Sequence, residues 1–109
     1  MINWDSVKTA EEKSAEAEAA LIATLTAAVQ VYMDDKAKAY GYDDIKSAVT
    51  YAEEPRVAKF QLEGQAFRAW RSAVWDYCYT QMDAVMAGTR AAPTAEQLIA
   101  ELPAFVAPE

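Results

Sequence analysis

The chain has no histidine, one cysteine, three glycines and four prolines in 109 residues. Without histidine it lacks the commonest general base and metal ligand near neutral pH. A single cysteine, Cys78, excludes an intramolecular disulfide, so the fold must be held by packing. Cys78 also lacks the histidine that usually activates a thiol, and its place among apolar residues reads as a small buried hydrophobe. No glycine-rich loop is present to cradle a phosphate. The acidic doublets Asp34-Asp35, Asp43-Asp44 and Glu53-Glu54 do not alternate as a calcium loop does, and they read as solvated helix ends. The expectation is a protein without catalytic residues, metal or cofactor.

Long apolar runs are missing as well. The best candidate, AALIATLTAAVQVYM, is broken by Thr24, Thr26 and Gln30 and falls short of the roughly eighteen apolar residues a membrane span needs. The opening MINWDSVKTAEEK has no basic start followed by an apolar core, so no signal peptide is read there. These features predict a soluble chain in a reducing, cytoplasmic setting.

Hydrophobic residues make up 53% and charged residues 25%, a globular balance far from that of disordered chains. The length predicts one domain. Net charge is −7, and residues 1–55 carry most of it, with five lysines against eleven acidic residues. An acidic front half repels phosphates and argues against nonspecific nucleic-acid binding.

Scarce glycine and abundant alanine favour helix. Thr9 and Glu12 have capping-box spacing, and nothing breaks a helix from there to about Tyr40, where Gly41 supplies a stop. Ile22, Leu25, Val29 and Tyr32 share one face of it. Its first turns, EEKSAEAEAA, offer only alanine as apolar material, so they either project or pack closely through small side chains. A short helix with an Asp43 or Asp44 cap runs to about Ala52, and Glu53-Glu54-Pro55 ends it. The third helix spans about Val57 to Ala87 and stops at Gly88. Gly64 inside it implies close approach of another helix, with the alanine face of the first as candidate. After Pro93, Thr94 and Gln97 form a second capping box for a short helix bearing Leu98, Ile99 and Leu102, which Pro103 closes. The predicted architecture is all-α: two long antiparallel helices with a short helix between them and a short C-terminal helix.

The stretch EGQAFRAWRSAVWDYCY, residues 63–79, is the aromatic centre of the chain. Phe67, Trp70, Val74, Tyr77 and Cys78 lie on one broad face and read as core. Trp75 and Tyr79 point elsewhere. With the flanking Arg68 and Arg71 they form either a second intramolecular contact or a protein interface, where Trp, Tyr and Arg are enriched. Aromatics beside Arg56, Lys59, Arg68 and Arg71 could also suggest a stacking platform for nucleic acid, but pairing of these bases with the acidic first helix is the better reading.

Three stretches, GYDDIKSAVTYAEEP, KFQLEGQAFRAWRSAVWDYCY and PTAEQLIAELP, together resemble a family of small proteins of tailed bacteriophages and prophages. That family is encoded beside tail-fibre genes and regarded as tail or tail-fibre accessory or assembly proteins. The resemblance rests on Tyr42, Asp43, Asp44, Ile45, Tyr51 and Pro55, on Phe60, Glu63, Gly64, Phe67, Trp70, Arg71, Trp75, Cys78 and Tyr79, and on Pro93, Thr94, Leu98, Leu102 and Pro103. It covers about two-thirds of the chain, from Gly41 onward; residues 1–40 match only in their alanine-rich character. The family pattern has proline where this chain has Ala58 and Ala91, substitutions expected to extend the third helix toward its start and loosen the 89–93 loop.

The resemblance implies no catalytic residues. It implies an accessory protein that binds a phage tail or tail-fibre polypeptide in the host cytoplasm, as an assembly chaperone or as a minor component of the virion tail. The expected contact residues are Leu21, Ile22 and Leu25 on the first helix's apolar stripe, with Arg68, Arg71, Trp75 and Tyr79. Self-association through Ile22, Leu25, Val29 and Tyr32 would give a homo-oligomer. A second expectation from another class is an acidic phage-encoded inhibitor of a host defence complex.

Overall fold

The computed structural model describes residues 10–109. Among the described residues the chain is all-helical, without a strand. Its elements are α1 (Ala10–Ala39), α2 (Ile45–Val49) running into a 3₁₀ helix (Thr50–Glu53), α3 (Ala58–Met86) and α4 (Ala95–Glu101). Two long helices with short helices beside them are what the sequence predicts. The Thr9 cap of the first helix lies outside the described residues.

Helix ends follow local chemistry. At the end of α1, Gly41 takes φ +95°, a conformation that costs glycine nothing. The Gly41 amide then donates to the Lys38 carbonyl at 2.9 Å and the Tyr42 amide to Ala37 at 3.1 Å, satisfying carbonyls the helix leaves open. Gly88 ends α3 in the same way. Asp44 caps α2 by accepting from the Ser47 amide at 2.7 Å, which holds its carboxyl below the usual range. A second carboxylate assists from α1, where Asp34 accepts from the Ile45 amide at 3.1 Å. Asp34 is therefore not the solvated helix end expected of its doublet: it joins α1 to the start of α2. Thr94 and Gln97 complete the reciprocal capping box of α4.

Burial on α1 falls on Leu25, Val29, Met33 and Ala37, a strict four-residue stripe, while Ile22 and Tyr32 flank it. Facing them are Phe67, Trp70, Val74, Cys78 and Met82 of α3. Tyr40 meets Phe67 and Tyr32 meets Trp70, whereas Ile22, Leu25 and Val29 line one space with Cys78 and Met82. Residue numbers fall on one helix as they rise on the other, the order in which antiparallel helices meet. Ile45 and Ala48 of α2 and Leu98 of α4 close the two ends of this core.

Two expectations need correcting. Gly64 makes room for α2 and the 3₁₀ helix, not for α1. A Cβ built there would stand 2.4 Å from the Ala52 nitrogen, 2.6 Å from the Tyr51 carbonyl carbon and 3.0 Å from the Ala48 oxygen. Helix α3 begins at Ala58 itself, capped by an extended Val57, so alanine in place of proline does not lengthen it. Proline at a first helical position would start the helix at the same residue.

Candidate protein-binding surface

The expected contact residues divide by burial: Leu25 is buried, Leu21, Ile22, Arg71 and Trp75 are half-buried, and Arg68 and Tyr79 are exposed. Leu25 is 3% exposed and sits in the core, so it is no surface residue: four-residue spacing aligns it with Val29 and Met33. Leu21 and Ile22 are half-buried against the same cluster and keep only an edge toward solvent. Residues 12–20 ahead of them are exposed apart from half-buried Glu18. The start of α1 is therefore solvent-exposed along most of residues 12–20.

Trp75 is half-buried against the core and shares a small space with Ile22, Thr26, Met82 and Leu98. One turn further, Tyr79 lies 6.5 Å from it between ring centroids but is 69% exposed. Met86, two turns beyond Tyr79 on the same side of α3, is also exposed. Trp75 thus serves the fold and anchors an apolar edge that continues through Tyr79. An exposed tyrosine beside a rigidly held tryptophan offers large contact area at low entropic cost.

The arginines behave differently from expectation. Arg68 is paired with Glu53 of the 3₁₀ helix at 3.5 Å, not with the acidic first helix; both side chains are well exposed, so the pair adds little stability. Arg71 is half-buried one turn before Trp75. Arg68, Arg71, Trp75 and Tyr79 follow one another along one side of α3, with Ile22 beside Trp75 and Arg68 at the far end, tied to the 3₁₀ helix.

Cys78 is buried, and burial pushes its thiol pKa up, which works against thiolate formation at neutral pH. Among the described residues no group of three or more cysteine or acidic side chains is placed to hold a metal ion. No helix there is long and apolar enough to cross a membrane.

Two polar arrangements and one aromatic arrangement went unread in the sequence. Glu63, 8% exposed, accepts from the Tyr42 hydroxyl at 3.0 Å. Burial and the neighbouring carboxylate push the Tyr42 pKa up to about 12. On the opposite end of the bundle, Glu101 of α4 accepts from the Tyr77 hydroxyl and pairs with Arg90, each at 2.5 Å. Arg90 also donates to Gln81, so one guanidinium ties the 89–93 loop to α3 and α4. That loop, expected to be loosened by Ala91, has Arg90 as its fastening. Finally, Phe105 of the tail stacks on Phe67 at 4.2 Å, inside a box completed by Trp70 and Tyr40. The available signal was an isolated aromatic two residues after the helix-ending Pro103.

No family model, no curated protein and no solved structure matches the chain.

Proposed function

We propose that this chain is a protein-binding accessory factor of a bacteriophage tail, which engages a tail or tail-fibre polypeptide during assembly in the host cytoplasm or remains in the virion tail. The setting comes from the resemblance carried by residues 41–103. The observation that carries the binding role is the Trp75–Tyr79 edge, where a tryptophan fixed by the core supports a tyrosine left 69% exposed. Arg71 and the solvent edge of Ile22 adjoin it, giving an apolar centre with a polar border, the usual anatomy of an interface. A fibre segment with an amphipathic helix would fit against such an edge.

Co-expression with the neighbouring tail-fibre gene, followed by size exclusion with light scattering, tests this reading. A stoichiometric complex with the fibre protein that Tyr79→Ala weakens is the expected result. A chain that stays alone, together with normal fibre assembly in a phage lacking the gene, would overturn it. A stable homo-oligomer indifferent to the fibre would replace the chaperone role by a structural one, and a lone monomer that captures a basic host complex would make it an acidic inhibitor.

A further inference from the structure

Glu63 is the one charged side chain among the buried residues described, at 8% exposure. One of its carboxylate oxygens accepts from the Tyr42 hydroxyl at 3.0 Å. The other has no hydrogen-bond partner among the described residues, yet it is not sealed from solvent. No ion pair neutralises the group: those among the described residues are Arg68–Glu53 and Arg90–Glu101. Lys59 lies one turn before it on α3, but a lysine on the N-terminal side of a glutamate is the weaker order for a helical pair. A covered carboxylate with one neutral donor falls short of the compensation that buried charges normally have. Glu63 also forms part of the wall of an open cavity of about 360 Å³ at the start of α3. Tyr40, Leu62 and Pro108 give this cavity apolar surface, while Lys59 and Glu109 stand at it with Glu63, two carboxylates against one ammonium. Tyr40 and Leu62 are 38% and 46% exposed, so the chain itself leaves this apolar area uncovered.

We propose that this cavity binds an organic cation of the alkylguanidinium type, with the open oxygen of Glu63 as its counter-charge and Tyr40, Leu62 and Pro108 around its hydrocarbon part. A bare metal ion does not fit, because among the described residues no group of three or more acidic or cysteine side chains converges to hold one. A neutral ligand would leave the Glu63 charge as it is. A guanidinium supplies several N–H donors, is weakly hydrated and stacks on aromatic rings, which suits a wall of one carboxylate and one tyrosine. Its alkyl stem covers apolar surface while the charged head reaches the carboxylate. Lys59 does not fill this role, since it is exposed and makes no ion pair with Glu63; it is the competing charge at the same cavity. The group arrives either as an arginine side chain of a partner or as a free small cation.

The test titrates the full-length chain with n-butylguanidinium, read through backbone amide resonances, with n-butylurea as a neutral control of the same shape. The expected result is saturable shifts at Tyr42, Lys59, Leu62 and Glu63 in about the millimolar range, as suits so small a ligand, and none from the urea. Glu63→Gln keeps an acceptor for the Tyr42 hydroxyl but removes the charge, and should weaken binding at least about tenfold. Lys59→Ala removes the competing ammonium at an exposed position and should strengthen binding about two- to fivefold. Burial, then Glu63, hold the Tyr42 pKa up at about 12; a guanidinium beside Glu63 offsets the second, so Tyr42 should ionise earlier with the probe bound. Should Glu63→Gln fail to fold, Lys59→Ala and the Tyr42 titration decide in its place. Absence of saturation, equal binding of the urea, a Glu63→Gln chain that binds as wild type does, or weaker binding by Lys59→Ala would overturn the proposal. Blocked arginine, Nα-acetyl-arginine methylamide, separates the two sources: comparable affinity assigns the cavity to a partner's side chain, and its exclusion assigns it to a free cation. The cavity lies at the opposite end of α3 from Trp75 and Tyr79, so none of these outcomes touches the proposed tail-assembly role.

Discussion

Gly64 of α3 lies so close to Ala52 that a Cβ added to the glycine would come within 2.4 Å of the Ala52 nitrogen. Backbone packs on backbone at this point, and the 3₁₀ helix cannot retreat without moving α2, whose Ile45 and Ala48 are in the core. Gly64→Ala should therefore destabilise the chain although alanine suits helices better. The propensity gain is about 1 kcal/mol, and overpacking a fixed contact costs about 1–3 kcal/mol or more. With the clash against backbone, the balance falls on the loss side, and thermal unfolding should occur roughly 5 °C lower or more. An unchanged or raised melting temperature would mean that the 3₁₀ helix yields freely.

Proline in place of Ala58 should be accepted. Ala58 is the first residue of α3, and Val57 before it is extended at φ −122°, ψ 101°, as a residue preceding proline prefers. The substitution removes freedom from the unfolded chain, with an expected gain of about 0.4–1 kcal/mol. Urea denaturation should show a higher midpoint with the same slope.

Removing the Tyr42 hydroxyl should cost more than its small size suggests. Tyr42→Phe leaves the buried Glu63 carboxylate without this donor, an expected loss of about 1–3 kcal/mol. The wild-type pH dependence has a definite sign. The folded-state pKa of Tyr42 is raised from 10.0 to about 12, so its contribution is complete below pH 10 and disappears as pH rises to about 12. Ultraviolet titration should find Tyr42 among the late-ionising tyrosines, and Tyr42→Phe should remove its component while leaving that of Tyr77, which its bond to Glu101 also raises.

The clasp on α4 should fail in acid. Hydrogen bonds from Arg90, then Tyr77, hold the Glu101 carboxyl below its ordinary 4.5. A depressed carboxyl contributes stability above its unfolded value and loses it as pH falls through the folded one. The protection of α4 amides relative to their intrinsic exchange should therefore fall as pH drops below about 4.5. Glu101→Gln should show the lower protection already at neutral pH.

Tyr79 and Leu25 should separate binding from folding. Tyr79→Ala removes an exposed ring and should change stability by no more than about 0.5 kcal/mol. Leu25→Ala opens a hole in the core and should cost about 2–5 kcal/mol. Denaturation curves of the two variants check this directly. A large loss for Tyr79→Ala would reassign that ring to the fold and weaken the case for an interface.

Much of the fold was legible because it is written in short-range chemistry. Gly41 and Gly88 as stops, Asp44 and Thr94 as caps, and the apolar spacing from Phe67 to Cys78 all act within a turn or two of themselves. That is why the four helices and most of their ends follow from the residues alone, although the change from α2 to a 3₁₀ helix after Val49 did not, and why Trp70 and Phe67 were readable as core.

What only the tertiary structure decided is which partner each face takes. The sequence required something to approach Gly64, but that it is the 3₁₀ turn and not α1 depends on how the chain returns after Gly41. Arg68 finds Glu53 fifteen residues back, Glu63 finds Tyr42 twenty-one residues back, and Trp70 finds the Pro103 carbonyl thirty-three residues ahead. Such pairings carry no periodic signal, because they exist only after the helices have packed. Leu25 shows the same division: its apolar character was plain from the sequence, but only the packing of α3 and α4 against α1 placed it inside while leaving Tyr79 out in the solvent.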